Sequence, residues 1–350
     1  MNIFITGGCG FIGTNFINFI LKDTKASIIN LDKLTYAANQ KYSKDTPQYK
    51  FIEGDIADKE LVTAIYDKYL PSIIINFAAE SHVDRSIEDS SAFIGTNILG
   101  THNLLECSDK YFNDQARQGN KDFKFIHIST DEVYGSLELN ESPFKESNKY
   151  YPNSPYSASK ASSDHLVRAW NKTYGLPTIL SNCSNNYGPF QNSEKFIPMI
   201  IKNALTGKDI GIYGDGQQIR DWLFVGDHCA AIKLIYEKGS VGEIYNIGGD
   251  SEKTNLEVVK AICNLLDRTR PNGENKPYFD QVSFIDDRAG HDRRYVIDSS
   301  KIQQDLGWNP SETFESGIKK TVLWYLSNLD WVDNVKNANY LNWVEKHYKS

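Results

Sequence analysis

The chain has 350 residues, enough for one large domain or two ordinary ones with a sizeable core. Hydrophobic residues make up 40% and charged residues 24%, the proportions of a globular protein. With 38 basic and 45 acidic residues the formal charge is −7, which argues against a broad nucleic-acid surface but leaves room for a local basic pocket for a phosphorylated small molecule.

In chain order the pattern alternates. NIFIT (2–6) reads as a buried strand, and GFIGTNFINFILK (10–22) has helical spacing. SIINLD (27–32) and YKFIEGDI (49–56) read as strands and KELVTAIYDKYL (59–70) as a helix. SIIINFAAE (72–80) is a strongly apolar strand and TNILGTHNLLECSDK (96–110) a helix. FKFIHIS (123–129) is a strand, SASKASSDHLVRAWNKTY (157–174) a long helix and PTILSNCS (177–184) a closing strand. Strands alternating with helices of this length predict βαβ units and an α/β fold, a doubly wound parallel sheet of the Rossmann type. After Asn186 the rhythm breaks into Gly-, Pro- and polar-rich sequence with a helix near 196–206. DWLFVGDHCAAIKLIYEK predicts a short strand and a helix, EIYNIGG (243–249) one more buried strand, and 255–266 and 314–326 two further helices. The expected division is a cofactor-binding domain over 1–186 with a returning segment at about 222–249. A smaller mixed α/β unit over 187–221 and 250–350 would bind substrate.

The five cysteines (Cys9, Cys107, Cys183, Cys229, Cys263) are scattered without a CxxC pair, so disulfides are not expected and a reducing cytoplasm fits. No HExxH or Cys/His cluster suggests a metal. No apolar run approaches a membrane span, and MNIFITGG enters a strand directly, without the basic and apolar segments of a secretion signal.

GGCGFIG places Gly7, Gly10 and Gly13, with Phe11 and Ile12 between them, where the first strand turns into the first helix. Glycines there let the backbone approach a pyrophosphate at the helix N-terminus. Asp32 ends the second strand, where a carboxylate would accept both ribose hydroxyls of NAD and repel the 2′-phosphate of NADP; Lys33, Leu34 and Thr35 follow it. Asp55 and Ile56 sit where such folds meet the adenine. Ala78, Ala79, Glu80, Ser81 and His82 close the fourth strand at its ligand-binding carboxyl edge, and Thr96 opens the next helix.

YSASK sets Tyr156 and Lys160 four residues apart on one helix face. A lysine ammonium and a cationic nicotinamide nearby would favour the phenolate and make Tyr156 a base for a hydroxyl losing hydride. HISTDEVYG is odder: an apolar strand ends in Thr130 and two adjacent acids, Asp131 and Glu132, and burying charge costs several kcal/mol unless it is paired.

Together, TGGCGFIG, Asp32, AAESHVDRS, STDEVYG, YSASK, SNNYGP and RDWLFVGDH resemble the extended short-chain dehydrogenase/reductase superfamily, and within it the dTDP-glucose 4,6-dehydratases. The resemblance runs to about Tyr295, and TDE discriminates, since epimerases of the superfamily usually carry small hydroxyl residues there. It implies NAD and a nucleotide-diphosphate glucose. C4 would be oxidised, Glu132 would take the C5 proton, Asp131 would protonate the departing C6 hydroxyl, and hydride would return to C6. Thr130 would hydrogen-bond the C4 hydroxyl and support Tyr156. The product, a 4-keto-6-deoxyglucose, feeds deoxysugars such as rhamnose. The same resemblance assigns Asn185 to substrate and Asn186 to the nicotinamide side. It assigns Lys195, Phe196, Gly211, Ile212, Tyr213, Arg220, Asn255, Asp287, Arg288 and His291 to the nucleotide end, although helix N-capping explains Asn255 nearly as well. It also implies a homodimer, with no nucleic-acid or membrane partner. Cys9 stands where alanine is common and Ala289 where proline is common. Related readings are a UDP- or CDP-glucose dehydratase or a 4-epimerase on the same scaffold; a non-catalytic NAD-binding regulator has no use for both acids beside Tyr156 and Lys160.

Overall fold

In a computed structural model the described residues are 1–23, 25–39, 45–119, 122–273, 276–287 and 290–329. The first half runs β1 (Asn2–Thr6), α1 (Phe11–Asp23), β2 (Ser27–Asp32), β3 (Tyr49–Glu53), α2 (Lys59–Tyr69), β4 (Ile73–Asn76), α3 (Val83–Glu88) and α4 (Ser91–Phe93). A π-helical turn at Ile94–Gly100 leads into α5 (Thr101–Arg117), then β5 (Lys124–Thr130), α6 (Pro155–Tyr174) and β6 (Thr178–Cys183). The second half adds β7 (Asn185–Tyr187), α7 (Phe196–Leu205), β8 (Ile210–Tyr213), β9 (Ile219–Phe224), α8 (Val225–Lys238) and β10 (Ile244–Ile247). It closes with β11 (Glu252–Thr254), α9 (Asn255–Thr269), β12 (Val282–Ile285), β13 (Arg294–Tyr295), α10 (Ser300–Leu306) and α11 (Phe314–Ser327).

Seven strands form one sheet in the order β10-β6-β5-β4-β1-β2-β3, every pair parallel. Alternation along each strand builds a core on both faces. Ile3, Ile5, Ile28 and Ile75 pack against Phe16, Ile17 and Ile20 of α1 and Ile232 and Ile235 of α8. Phe4, Ile29, Ile74 and Phe125 turn the other way, onto Val62 and Ile65 of α2, Leu104 and Leu105 of α5 and Val167 of α6. Each such side chain contributes roughly 1.5–3 kcal/mol by leaving water.

Local chemistry sets the ends of α6. Ser154 caps it in a reciprocal pair with Ser157, Pro155 takes the first turn, and Gly175 closes it in the left-handed region at φ 76°. The helix therefore starts two residues before the sequence pattern indicates. The strand expected to reach residue 80 ends at Asn76, which leaves 77–81 as a loop over the carboxyl edge. Residues 221–224 lie in β9 of a smaller sheet, β11-β9-β13 with β7 on β9, whereas α8 and β10 return to the large sheet. A second core, including Ile200, Trp222, Val259, Ile262 and Ile318, holds the smaller unit together.

Candidate active site

The carboxyl ends of β1, β2, β4, β5 and β6 open into a cleft of about 310 Å³. Its walls include the glycine turn, Asp32, Ala78, Thr130, Tyr156 and Asn186. At one end Gly7 has φ 70°, and a Cβ there would meet the Ala78 backbone at 2.6 Å. A Cβ on Gly13 would meet the Gly7 carbonyl at 2.5 Å, so the turn closes only without side chains. Asp32 accepts the Cys9 N–H (2.9 Å) and the Leu34 N–H (2.8 Å); burial nevertheless raises its pKa above the ordinary carboxylate value. Leu34 thus serves through its backbone, at φ 50°. Lys33 is held by Asp55 at 3.3 Å and Thr96 at 3.1 Å, with Ile56 buried beside them. Ala79, Glu80 and Ser81 line the far wall with Phe11, Ile12 and Thr35. These features fit an extended dinucleotide. The pyrophosphate would meet a backbone cradle at the N-terminus of α1 and the ribose would meet Asp32. Nearby, the buried Asn185 Oδ1 has no hydrogen-bond partner among the described residues.

At the other end α6 brings Tyr156 and Lys160 against β5. Lys160 donates to the Ile128 carbonyl at 2.8 Å and lies 3.5 Å from His127 Nε2. Burial lowers the pKa of its ammonium. Burial, Glu132 and Cys183 together push the Tyr156 phenol well above its ordinary value, with the Thr130 hydroxyl partly opposing them. Lys160 shares the cleft wall with Tyr156. Its ammonium is bonded to the β5 backbone.

The two acids sit on a turn. β5 ends at Thr130, whose side chain caps a 3-10 helix at Asp131–Tyr134 by accepting the Glu132 N–H at 3.3 Å. Gly135 follows at φ 89°, where a Cβ would meet the Tyr151 carbonyl at 2.5 Å. The extended chain thus becomes helical at Thr130, ahead of both acids, and both line the cleft rather than opposite faces of a strand. Asp131 is 2% exposed and its pKa is raised well above the ordinary value by burial, Glu132 and Asp221, against Arg220 and the Thr130 hydroxyl. A buried protonated carboxyl beside a second acid is suited to give a proton while its neighbour takes one. Its Oδ2 has no hydrogen-bond partner among the described residues.

The remaining candidates are placed differently. Lys195 reaches the Ser81 carbonyl at 2.7 Å, bridging the two units over the cleft. Asn186 is fixed by His228 at 2.8 Å, and His82 is buried 3.9 Å from Glu194. Arg220 stacks on Tyr295 with 4.3 Å between guanidinium and ring centre and donates to the backbone carbonyls of Ile219 and Asp292. His291 pairs with Asp287 at 2.6 Å and packs edge-on to Tyr213. Phe196 stacks on Trp222. Gly211 and Ile212 lie in β8, and Ile212 faces the second core. Asn255 is not the cap of α9: Thr254 is, paired with Glu257. Arg288 and Ala289 lie outside the described residues.

Sequence reading missed the polar girdle of the cleft. Asn97, in the π-turn, binds the backbone of Glu80 through both amide atoms and reaches Ser159 at 2.8 Å. Glu194, buried, pairs with Arg85 at 3.2 Å, and Arg85 stacks 3.9 Å over Tyr36. An asparagine inside the otherwise apolar TNILG was the one local signal; the others meet across distant loops. Among the described residues no helix is long and apolar enough to cross a membrane, and no group of three or more potential ligands could hold a metal.

A family model described as GDP-mannose 4,6 dehydratase matches residues 4–321. A dTDP-glucose 4,6-dehydratase of Salmonella typhimurium is 52% identical, with 100% of this chain and 99% of that one covered. Among solved structures, a dTDP-glucose 4,6-dehydratase of Bacillus anthracis in complex with NAD superposes with a TM-score of 0.84 at 45% identity, over 96% of this chain and all of that one. One from Streptomyces venezuelae, with NAD and TYD bound, gives 0.86 at 40% over the same shares.

Proposed function

We infer the chemistry from one premise: the chain belongs to the family of dTDP-glucose 4,6-dehydratases. It is an NAD-dependent hydro-lyase that converts dTDP-glucose to dTDP-4-keto-6-deoxyglucose and water. When bound, NAD supplies a reversible hydride acceptor; the glycine turn, Asp32 and the loop after β4 hold it.

The residue roles are our reading of the geometry. Tyr156 takes the proton of the C4 hydroxyl as phenolate, the form that the Lys160 ammonium and a bound cationic nicotinamide would favour, while Lys160 also ties the helix to β5. The resulting ketone acidifies C5–H, which Glu132 removes as base. Asp131, protonated by its surroundings, gives its proton to the C6 hydroxyl, which leaves as water. Thr130 steers the C4 hydroxyl toward Tyr156. Asn185 and Lys195 hold the sugar and diphosphate. Arg220, Phe196, Tyr213, Asn255 and the 287–291 loop, Arg288 included, receive the nucleotide. The observation that carries this reading is the turn at Thr130, which brings both carboxyls to one cleft beside Tyr156; a 4-epimerase has no task for that pair. We further place residues 1–186 with α8 and β10 in the cofactor unit and the rest in the substrate unit, acting as a homodimer through α5 and α6. Five buried cysteines that form no disulfide suit a cytoplasmic setting, with a nucleotide sugar as partner and neither nucleic acid nor membrane.

The test is isotopic. With deuterium at C4 of dTDP-glucose, the label is expected on C6 of a 4-keto-6-deoxy product. Label retained at C4 in a galactose product would replace dehydration with epimerisation, and no turnover would remove the enzymatic reading.

A further inference from the structure

Counting protons over the proposed cycle, on whose reading this inference rests, leaves a debt. Tyr156 begins as phenolate and ends as phenol. Asp131 begins as carboxylic acid and ends as carboxylate, its proton now in the water released. Glu132 takes a proton from C5 and returns one there, so it ends as it began. One proton must therefore move from Tyr156 to Asp131 before the next turnover, or be lost at one residue and captured at the other.

Bulk water is poorly placed to carry it, since Tyr156 and Thr130 are each 8% exposed and Asp131 2%. Thr130 stands between them. Its hydroxyl donates to Asp131 Oδ1 at 3.3 Å and lies close enough to the Tyr156 phenol in the same cleft to influence its proton affinity. Its oxygen also accepts the Glu132 N–H, so with a phenol O–H donated to it one donor and two lone pairs are all engaged, the full capacity of a hydroxyl. Once the phenol is protonated, a Thr130 hydroxyl that accepts from it while still donating to Asp131 gives the direction that transfer requires, from phenol to hydroxyl to carboxylate. We propose that Thr130 is a proton relay that resets the active site internally after each turnover. The Tyr156 O–H bond breaks as its proton bonds to Thr130 Oγ, and the proton previously on Thr130 passes to Asp131 Oδ1. A rotation of the hydroxyl restores the starting arrangement. No external acid, oxidant or reductant enters the balance.

The relay separates first from later turnovers. Thr130→Val keeps the shape but cannot pass a proton, Thr130→Ser can, and Thr130→Ala is the second non-relaying variant should valine perturb folding. Each is compared at equal NAD content, with enzyme in excess of substrate for the first turnover and substrate in excess for later ones. The ratio of later to first turnover rate is expected to stay at the native value in Thr130→Ser. In Thr130→Val and Thr130→Ala it should fall by about 10²-fold or more, the lower end of what a positioned proton transfer contributes. Added imidazole should restore it by carrying the proton. Infrared difference spectra after one turnover should show the Asp131 carboxyl reformed in the native enzyme and still ionised in Thr130→Val. An unchanged ratio without response to buffer, or a carboxyl reformed equally in Thr130→Val, would overturn the relay while leaving dehydration intact. A native enzyme that turns over no dTDP-glucose would overturn both.

Discussion

Replacing Asp131 with asparagine is expected to stabilise the fold and abolish most of its activity. The carboxyl is buried and faces Glu132 and Asp221, and its proton affinity rises well above the ordinary value of 3.8 for these reasons, with Arg220 only partly opposing. In the unfolded chain the group ionises near 3.8. At pH values between that and the raised folded value, the native state still binds a proton that the unfolded state has released. Stability contributed by the protonated carboxyl is therefore lost as pH rises through that window. An amide of the same shape never ionises and keeps the Thr130 hydroxyl bonded to its oxygen. Its NH₂ replaces Oδ2, an atom without a hydrogen-bond partner among the described residues, and so retains a desolvation cost of about 1–3 kcal/mol. The native acid must either hold its proton against rising pH or ionise facing two acids, and the amide escapes that cost, so the expected net gain near pH 8 is on the order of 1–2 kcal/mol, shrinking as pH falls toward 5. Dehydration should drop by about 10²–10⁴, the usual worth of a positioned acid. Urea unfolding of NAD-loaded native and Asp131→Asn proteins across this range, with product formation assayed alongside, tests both halves. A variant less stable than native near pH 8, or a gap independent of pH, would refute the electrostatic account.

Gly13→Ala is expected to cost about 1–3 kcal/mol and weaken NAD about tenfold for each 1.4 kcal/mol expressed at the cradle, because its Cβ would press on backbone at 2.5 and 2.7 Å. Gly95→Ala meets nothing within 4 Å and should change stability by less than about 1 kcal/mol; similar melting and cofactor titration of the two variants would sink the close-approach argument. Burial and the neighbouring Lys160 depress the His127 pKa from 6.5 to about 4, so the native state resists a proton that the unfolded chain accepts. Stability should fall as pH drops from 6.5 to about 4, by up to about 3 kcal/mol from this residue. His127→Gln should flatten that limb of a denaturant-midpoint profile, and an unaltered limb would assign the loss elsewhere.

Most of the large sheet was legible because its strands are apolar runs that must be covered on both faces, and the helices between them carry one clear period. The glycine turn, Asp32, Tyr156, Lys160 and the acid pair were legible because each breaks a local pattern: a hinge, a charge at a strand end, a polar pair at helical spacing. The short strands β7, β8, β11, β12 and β13 were not, being two to four residues long with their pairing set by partners far along the chain. Asn97, Glu194 and Arg85 were hidden for the same reason, since their roles depend on loops that meet only in the folded molecule. The bond from Lys160 to the Ile128 carbonyl was not legible either. Spacing places two side chains on one face but says nothing of which neighbour the ammonium prefers.

The edge strand β10 has a consequence for synthesis. It pairs with β6 only after residues 184–243 have been made, so the chain must build much of the smaller unit before the seventh strand exists. On the ribosome β6 waits as a temporary edge strand, its outer side still unpaired. A nascent chain arrested in that interval would carry an unpaired hydrophobic border, the kind of surface that chaperones bind and aggregates recruit. Pulse-labelled truncations ending before and after residue 247 should differ sharply in protease resistance.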